Sequence, residues 1–172
     1  MPVSEDVRRR REEIVREHMD SENRHEYDAT IDTFHHPRYE LIGTGQVYDG
    51  LEEVARYFEE TRTAFPDQTN ELIALHHADD AVLVEADLRG THDGPLRGLP
   101  PTGRKFEMRF LAIFLFDGDD KLVCERVYFD SNTILRQLGV AHDPMSLAGR
   151  AAAVANHPVT IAKALLRRVT RR

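Results

Sequence analysis

Apolar positions along the chain change their period after residue 66, and that change separates a helical first part from a strand-rich second part. From Ser4 to Met19 only Val7, Ile14, Val15 and Met19 interrupt a run rich in Arg and Glu, which predicts a mostly exposed helix. Asp20 or Ser21 is placed either to cap a second helix or to mark a bend in one long one. Tyr27, Ile31 and Phe34 then recur at helical spacing. The His36-Pro37 step ends that helix, because a residue before proline avoids the helical region. Two short strands, Arg38 to Ile42 and Gln46 to Tyr48, flank Gly43-Thr44-Gly45. Beyond Asp49-Gly50, Leu51, Val54, Ala55 and Phe58 line one side of a helix stopped by Pro66.

The body that follows reads as β. Asn70 to His76, Ala81 to His92, Arg104 to Phe116 and Lys121 to Phe129 are rich in β-branched, aromatic and other apolar residues. Turn formers separate them: Asp79-Asp80, the stretch from Asp93-Gly94-Pro95 to Gly103, and Asp117-Gly118-Asp119-Asp120. Ser131 to Leu138 predicts a short helix ended by Gly139. Helices, a hairpin, a helix and then long strands define an α+β fold. A curved antiparallel sheet wrapped around the helical face buries both apolar sets and leaves a pocket at one end.

After Asp143-Pro144 small residues take over, and Pro158 is placed to start a last helix. Its apolar stripe, Val159, Ala162, Leu166 and Val169, suits packing on the body or on a sister subunit. The last fourteen residues carry +5 from Lys163, Arg167, Arg168, Arg171 and Arg172, so the rest holds -12 of the total of -7. An acidic body argues against a nucleic-acid partner. No apolar run reaches the ~20 residues of a membrane span. The charged N-terminus is unlike a secretory signal, and the lone Cys124 allows no intrachain disulfide; both favour a cytoplasmic setting.

Three motifs in order carry a family likeness: Gly90-Thr91-His92-Asp93-Gly94-Pro95, Pro100-Pro101-Thr102-Gly103, and Asp130 shortly before Gln137-Leu138-Gly139. Tyr48-Asp49-Gly50 and Phe65-Pro66-Asp67 fit as well. The chain resembles the SnoaL-like polyketide cyclases, the ester-cyclase branch of the nuclear transport factor 2-like (NTF2-like) superfamily. The likeness spans roughly residues 20–140, leaving 1–19 as a helical extension and 141–172 as a C-terminal one. It implies an NTF2-like cone, a homodimer formed through the open sheet face, and a small apolar or polyketide-like ligand. It also implies aldol-type ring closure, or a related isomerisation, with neither metal nor organic cofactor. Carried over by motif, Asp130 is the base and His92 the acid or hydrogen-bond donor.

Residue chemistry agrees in part. An apolar pocket raises a carboxyl pKa towards neutrality, which suits a base for a carbon acid. Strand parity puts His92 with Val82, Val84, Ala86 and Leu88, facing inward. The same count puts Asp130 with Leu122, Cys124, Arg126 and Tyr128, a mixed face. Asp130 also precedes Ser131-Asn132-Thr133, so it reads as a helix N-cap with equal force, and His92 reads alternatively as a turn residue.

Further pocket candidates are Tyr27, Tyr48, Tyr57, Tyr128, Arg126 and His36. Phe106, Met108, Phe110, Phe114 and Phe116 read as core rather than as a stacking surface. The pairs His35-His36 and His76-His77 lack completing ligands for a metal. Two other functions share this scaffold: a non-catalytic binder, and an epoxide hydrolase, for which no Asp-Arg-Asp spacing is visible.

Overall fold

The computed structural model describes residues 3–169, with side chains described to Arg167. Helix α1 (Glu5–Arg24) is capped by Ser4, whose hydroxyl accepts from the Val7 amide, and it ends at His25 in the left-handed region. It runs unbroken through Asp20 and Ser21. Ser21 is buried there, and its hydroxyl donates to the His18 carbonyl and bonds Thr30 of α2 (Tyr27–Asp32). The stripe of α1 that faces the sheet is Val15, His18 and Met19, all buried. This helix is therefore part of the core, and it continues past residue 19 to Arg24.

Strands β1 (Arg38–Leu41) and β2 (Gln46–Asp49) form the short hairpin, followed by α3 (Leu51–Ala64). The long strands are β3 (Thr69–His77), β4 (Ala81–Thr91), β5 (Lys105–Phe116) and β6 (Leu122–Tyr128). All six make one sheet in the order β2-β1-β6-β5-β4-β3. The sheet departs from the expected antiparallel pattern at one seam: β1 runs parallel to β6, pairing Tyr39 with Glu125.

The concave side packs on α1 to α3 through Val54, Phe58, Val82, Val84, Ala86, Ala112 and Phe114. On the convex side of the long strands, ion pairs take the upper half, with Arg109 bridging Glu85 and Asp87 and Arg89 bridging Glu71 and Glu107. The aromatic residues of β5 face inward, so they offer nothing to a partner at this surface.

Helix α4 (Ser131–Gln137) follows the sheet, and α5 (Leu147–Asn156) and α6 (Pro158–Val169) complete the described chain. Of the α6 stripe Val159 and Leu166 are exposed, as is the neighbouring Leu165, and α5 likewise exposes Leu147 and Val154. Arg171 and Arg172, the basic end expected from sequence, lie outside the described residues. No helix among the described residues is long and apolar enough to cross a membrane.

Two outcomes follow from placing α1 in the core. Met19→Ala should cost about 3 kcal/mol in urea unfolding, and a chain lacking residues 1–19 should fail to fold. A stable, cooperatively folding truncation would show that the helix is dispensable.

Candidate functional site

A cavity of about 400 Å³ opens at the wide end of the cone, between α3, α4 and the concave sheet face. Its walls are apolar: Leu88, Phe106, Met108 and Phe110 from β4 and β5, and Val127 and Phe129 from β6 and just beyond it. Phe106, Met108 and Phe110 thus line the cavity as well as packing, whereas Phe114 and Phe116 are wholly core. The exceptions to this apolar lining include two carboxylates, Glu22 and Glu125, together with Tyr39, Tyr57 and Asn70.

Beneath them lies His18, fully buried one helical turn before Glu22. Its Nδ1 is 2.8 Å from the Thr33 hydroxyl, which itself donates to the Thr30 carbonyl at 2.6 Å. Thr33 must therefore accept from His18. On the other edge Nε2 is 2.8 Å from the Tyr39 hydroxyl, and Tyr39 donates its proton to Glu22 Oε1 at 3.0 Å. That oxygen too can only accept. Both ring nitrogens carry protons, so His18 is an imidazolium.

Nε2 also lies 3.0 Å from Glu125 Oε2 and 3.6 Å from Glu22 Oε1. Burial opposes the charge on His18, but the two carboxylates outweigh it and push its pKa up to about 9. The carboxylates themselves diverge. Burial pushes Glu22 up, yet His18, Tyr39 and Arg62 hold it below its ordinary value. Asn70 Nδ2 also donates to Glu22, at 3.0 Å. For Glu125 burial prevails, helped by the negative charge of Glu22, and its pKa is raised. Its Oε2 is buried and makes no hydrogen bond of acceptable angle, although His18 is close. Two titratable groups driven apart by their surroundings are candidates for acid–base chemistry. The ligand atoms of His18, Glu22 and Glu125 lie within 4.8 Å of one another, a donor set suited to a divalent cation. Their protons and hydrogen bonds already commit both ring nitrogens.

The structure disperses the residues marked out from sequence. Asp130 is exposed and caps α4: it accepts from the Asn132 amide at 3.0 Å and the Thr133 hydroxyl at 2.7 Å, which hold its pKa down. Its parity on β6 is that of Arg126 and Tyr128, and this face points away from the cavity. Arg126 pairs there with Glu40 at 2.5 Å, and Tyr128 is 41% exposed. His36 is at the surface on Asp49, and Tyr27 stacks on Phe58 outside the cavity.

His92 does turn inward and is buried, but behind Phe65 rather than on the cavity wall. Its Nδ1 accepts the Thr102 amide at 3.2 Å, so it fastens the loop between β4 and β5. Tyr48 is buried against Tyr57, their rings 4.8 Å apart. Of the expected tyrosines, Tyr57 alone lines the cavity.

Sequence reasoning passed over His18, Glu22, Tyr39 and Glu125. Signals were present: a His and a Glu four apart on the apolar stripe of α1, and a lone acid among Val123, Val127 and Phe129.

With the geometry in view, the comparisons are informative. A family profile, SnoaL-like polyketide cyclase, matches residues 7–138. The chain belongs to that family. No curated protein matches it. Among solved structures it is similar to IdmH, a proposed polyketide cyclase from Streptomyces antibioticus, at 27% identity and a TM-score of 0.64, covering 76% of this chain and 99% of that one. It also resembles AclR, a proposed hydroxylase from Streptomyces galilaeus, at 21% identity and a TM-score of 0.65, covering 76% and 96%. A phenazine biosynthesis-related protein from Pseudomonas aeruginosa aligns at 22% identity and a TM-score of 0.68, covering 87% and 94%. The two less identical structures show the fold alone.

A raised pKa on His18 means stability present below its ordinary value of 6.5 and lost as pH rises through about 9. Thermal melts should therefore show the native protein losing stability over that interval, with His18→Gln lacking this loss. Parallel profiles would show that the imidazole is neutral.

Proposed function

We propose that this protein is an acid–base enzyme of the cyclase or isomerase type, acting on a polyketide-like carbonyl compound, with Glu125 moving the proton. The observation that carries the reading is the Glu125 carboxylate. It is buried on the cavity wall, has an unsatisfied oxygen, and is raised in pKa beside a fixed imidazolium. A carboxylate raised in this way is a stronger base than an ordinary one, which suits removal of a proton from a carbon flanked by carbonyls.

The Glu125 oxygen removes that proton, and the electron pair of the C–H bond moves onto the neighbouring carbonyl as an enolate. His18 stabilises the ionised Glu125 before the step. Tyr57 lines the same cavity with its proton retained, since burial and the nearby carboxylates raise its pKa. Its hydroxyl has no hydrogen-bond partner among the described residues and serves as donor to the enolate oxygen. In ring closure the enolate carbon attacks a second carbonyl of the same molecule, and the proton held by Glu125 passes to the new alkoxide. In isomerisation it returns to a different carbon. The family likeness and the apolar walls support a ring-bearing, polyketide-like substrate; Asp130 keeps a structural role at the start of α4.

Proton abstraction is measurable without the natural substrate, as deuterium exchange at the acidic carbon of an aryl β-keto ester followed by NMR. Glu125→Gln should slow exchange on the order of a thousandfold with the fold intact, while Asp130→Asn stays near wild type. The reverse pattern would return the base to Asp130. Tight binding with no exchange by wild type would make the protein a binder. The rate should follow a bell in pH, rising as Glu125 ionises above the usual carboxylate range and falling as His18 deprotonates near about 9.

A further inference from the structure

The loop between β4 and β5 hangs over the cavity mouth, and it is fixed at both ends. Asp93 and Gly94 donate their amides to the Ala64 carbonyl at 3.1 and 3.2 Å, and Gly103 donates to His92 at 2.9 Å. At Gly94 a side chain would collide with the Thr63 carbonyl, 1.9 Å from where its Cβ would stand. Between these anchors Leu96 and Leu99 exchange both backbone hydrogen bonds, at 3.0 and 2.8 Å, so Arg97 and Gly98 form a two-residue turn. Both have positive φ, 48° and 86°.

Such a turn favours Asn-Gly, and an arginine in its first position costs on the order of 1 kcal/mol. The backbone gains nothing from arginine here. The side chain does have a place to act: Arg97 lines the cavity mouth between Leu96 and Leu99. It is the one cation among the lining residues, and it forms no ion pair with any described residue.

Its guanidinium donates to the Tyr48 hydroxyl at 2.7 Å. Tyr48 accepts that bond and so fixes the direction in which the guanidinium points. Tyr48 is buried and is not among the lining residues, so it holds the arginine in place, and the other guanidinium N–H groups form a planar fork that fits one carboxylate. A doubly charged phosphate would leave half its charge unmatched. Across the sheet Tyr48 pairs with Tyr39, and Tyr39 pairs with Glu125. Two strand spacings separate the Glu125 and Tyr48 backbones by about 10 Å. The cavity is thus polarised, with carboxylates at its base and a cation at its mouth.

We propose that Arg97, held in place by Tyr48, binds a carboxylate on the substrate, at the end remote from the carbon that Glu125 deprotonates. The substrate class is then an apolar, ring-bearing carbonyl compound with a free carboxylate at its far end. It enters in one orientation only, because Glu22 and Glu125 repel the carboxylate from the base. This proposal rests on the reading of Glu125 for the identity of the reacting end, but the carboxylate site itself does not.

The test uses 2-naphthoate and its neutral carboxamide, neither of which has an acidic carbon, with binding measured by calorimetry on the full chain. Wild type should bind the carboxylate about tenfold more tightly than the amide. Arg97→Asn suits the turn better, so it should melt no lower than wild type while losing that preference. Its affinity for the amide should stay within about twofold. Tyr48→Phe should lose part of the preference. Equal binding of both probes by wild type, binding of neither, or a preference kept in Arg97→Asn would each overturn the proposal. The exchange assay on Glu125→Gln is unaffected by any of these results, so the two readings fail separately.

Discussion

An imidazolium and two carboxylates removed from water are tolerable only when they are held in contact, because each would otherwise be a buried charge without compensation. That requirement organises the molecule. His18 and Glu22 come from α1, Tyr39 from β1, Asn70 from β3, Glu125 from β6 and Thr33 from the end of α2. Shifting α1 against the sheet would leave Glu125 facing apolar side chains with a charge and no cation. The helix is consequently fixed in rotation as well as in depth, and the cavity above it has a floor of defined charge.

The walls serve this floor. Phe106, Phe110, Val127 and Phe129 exclude water from the cavity side, and their low polarity is what raises Glu125. Glu22, a neighbour with the same functional group, goes the other way because His18, Tyr39 and Arg62 together outweigh its burial. One apolar cavity thus holds a carboxylate lowered in pKa and another raised. Glu125 is the more deeply buried of the two and feels the charge of Glu22, while Arg62 favours the ionised Glu22.

The sequence told much about the fold and little about the site, for reasons visible in particular residues. Strand limits in β3 to β6 were legible because period-two alternation and Asp-Gly turns both reflect local backbone preference. The family motifs fell on turns and caps that the fold needs: Gly94 under Thr63, Thr102 on His92, Asp130 at the start of α4. They identify the scaffold and say less about the chemistry. The inward orientation of His92 followed from parity, but that Phe65 screens it from the cavity is a tertiary fact. Asp130, read equally as base or cap, is a cap because the inward face of β6 is that of Glu125, Val127 and Phe129, one residue out of step with it. His18 and Glu22 were hidden by a charged helix: among so many Arg and Glu residues, the acid that points inward looks like the others.

The parallel seam between β1 and β6 has a consequence for how the protein is made. Tyr39 and Glu125 are adjacent in space but lie 86 residues apart in the chain. The hairpins β3-β4 and β4-β5 can close early, since their partners are near neighbours in sequence. The seam must wait, because closing so long a loop costs entropy before it returns any contact. During synthesis β1 leaves the ribosome long before β6 exists, and α1 meanwhile exposes its inward histidine and glutamate. The charged floor of the cavity is therefore among the last features to assemble, since it needs the final strand in place.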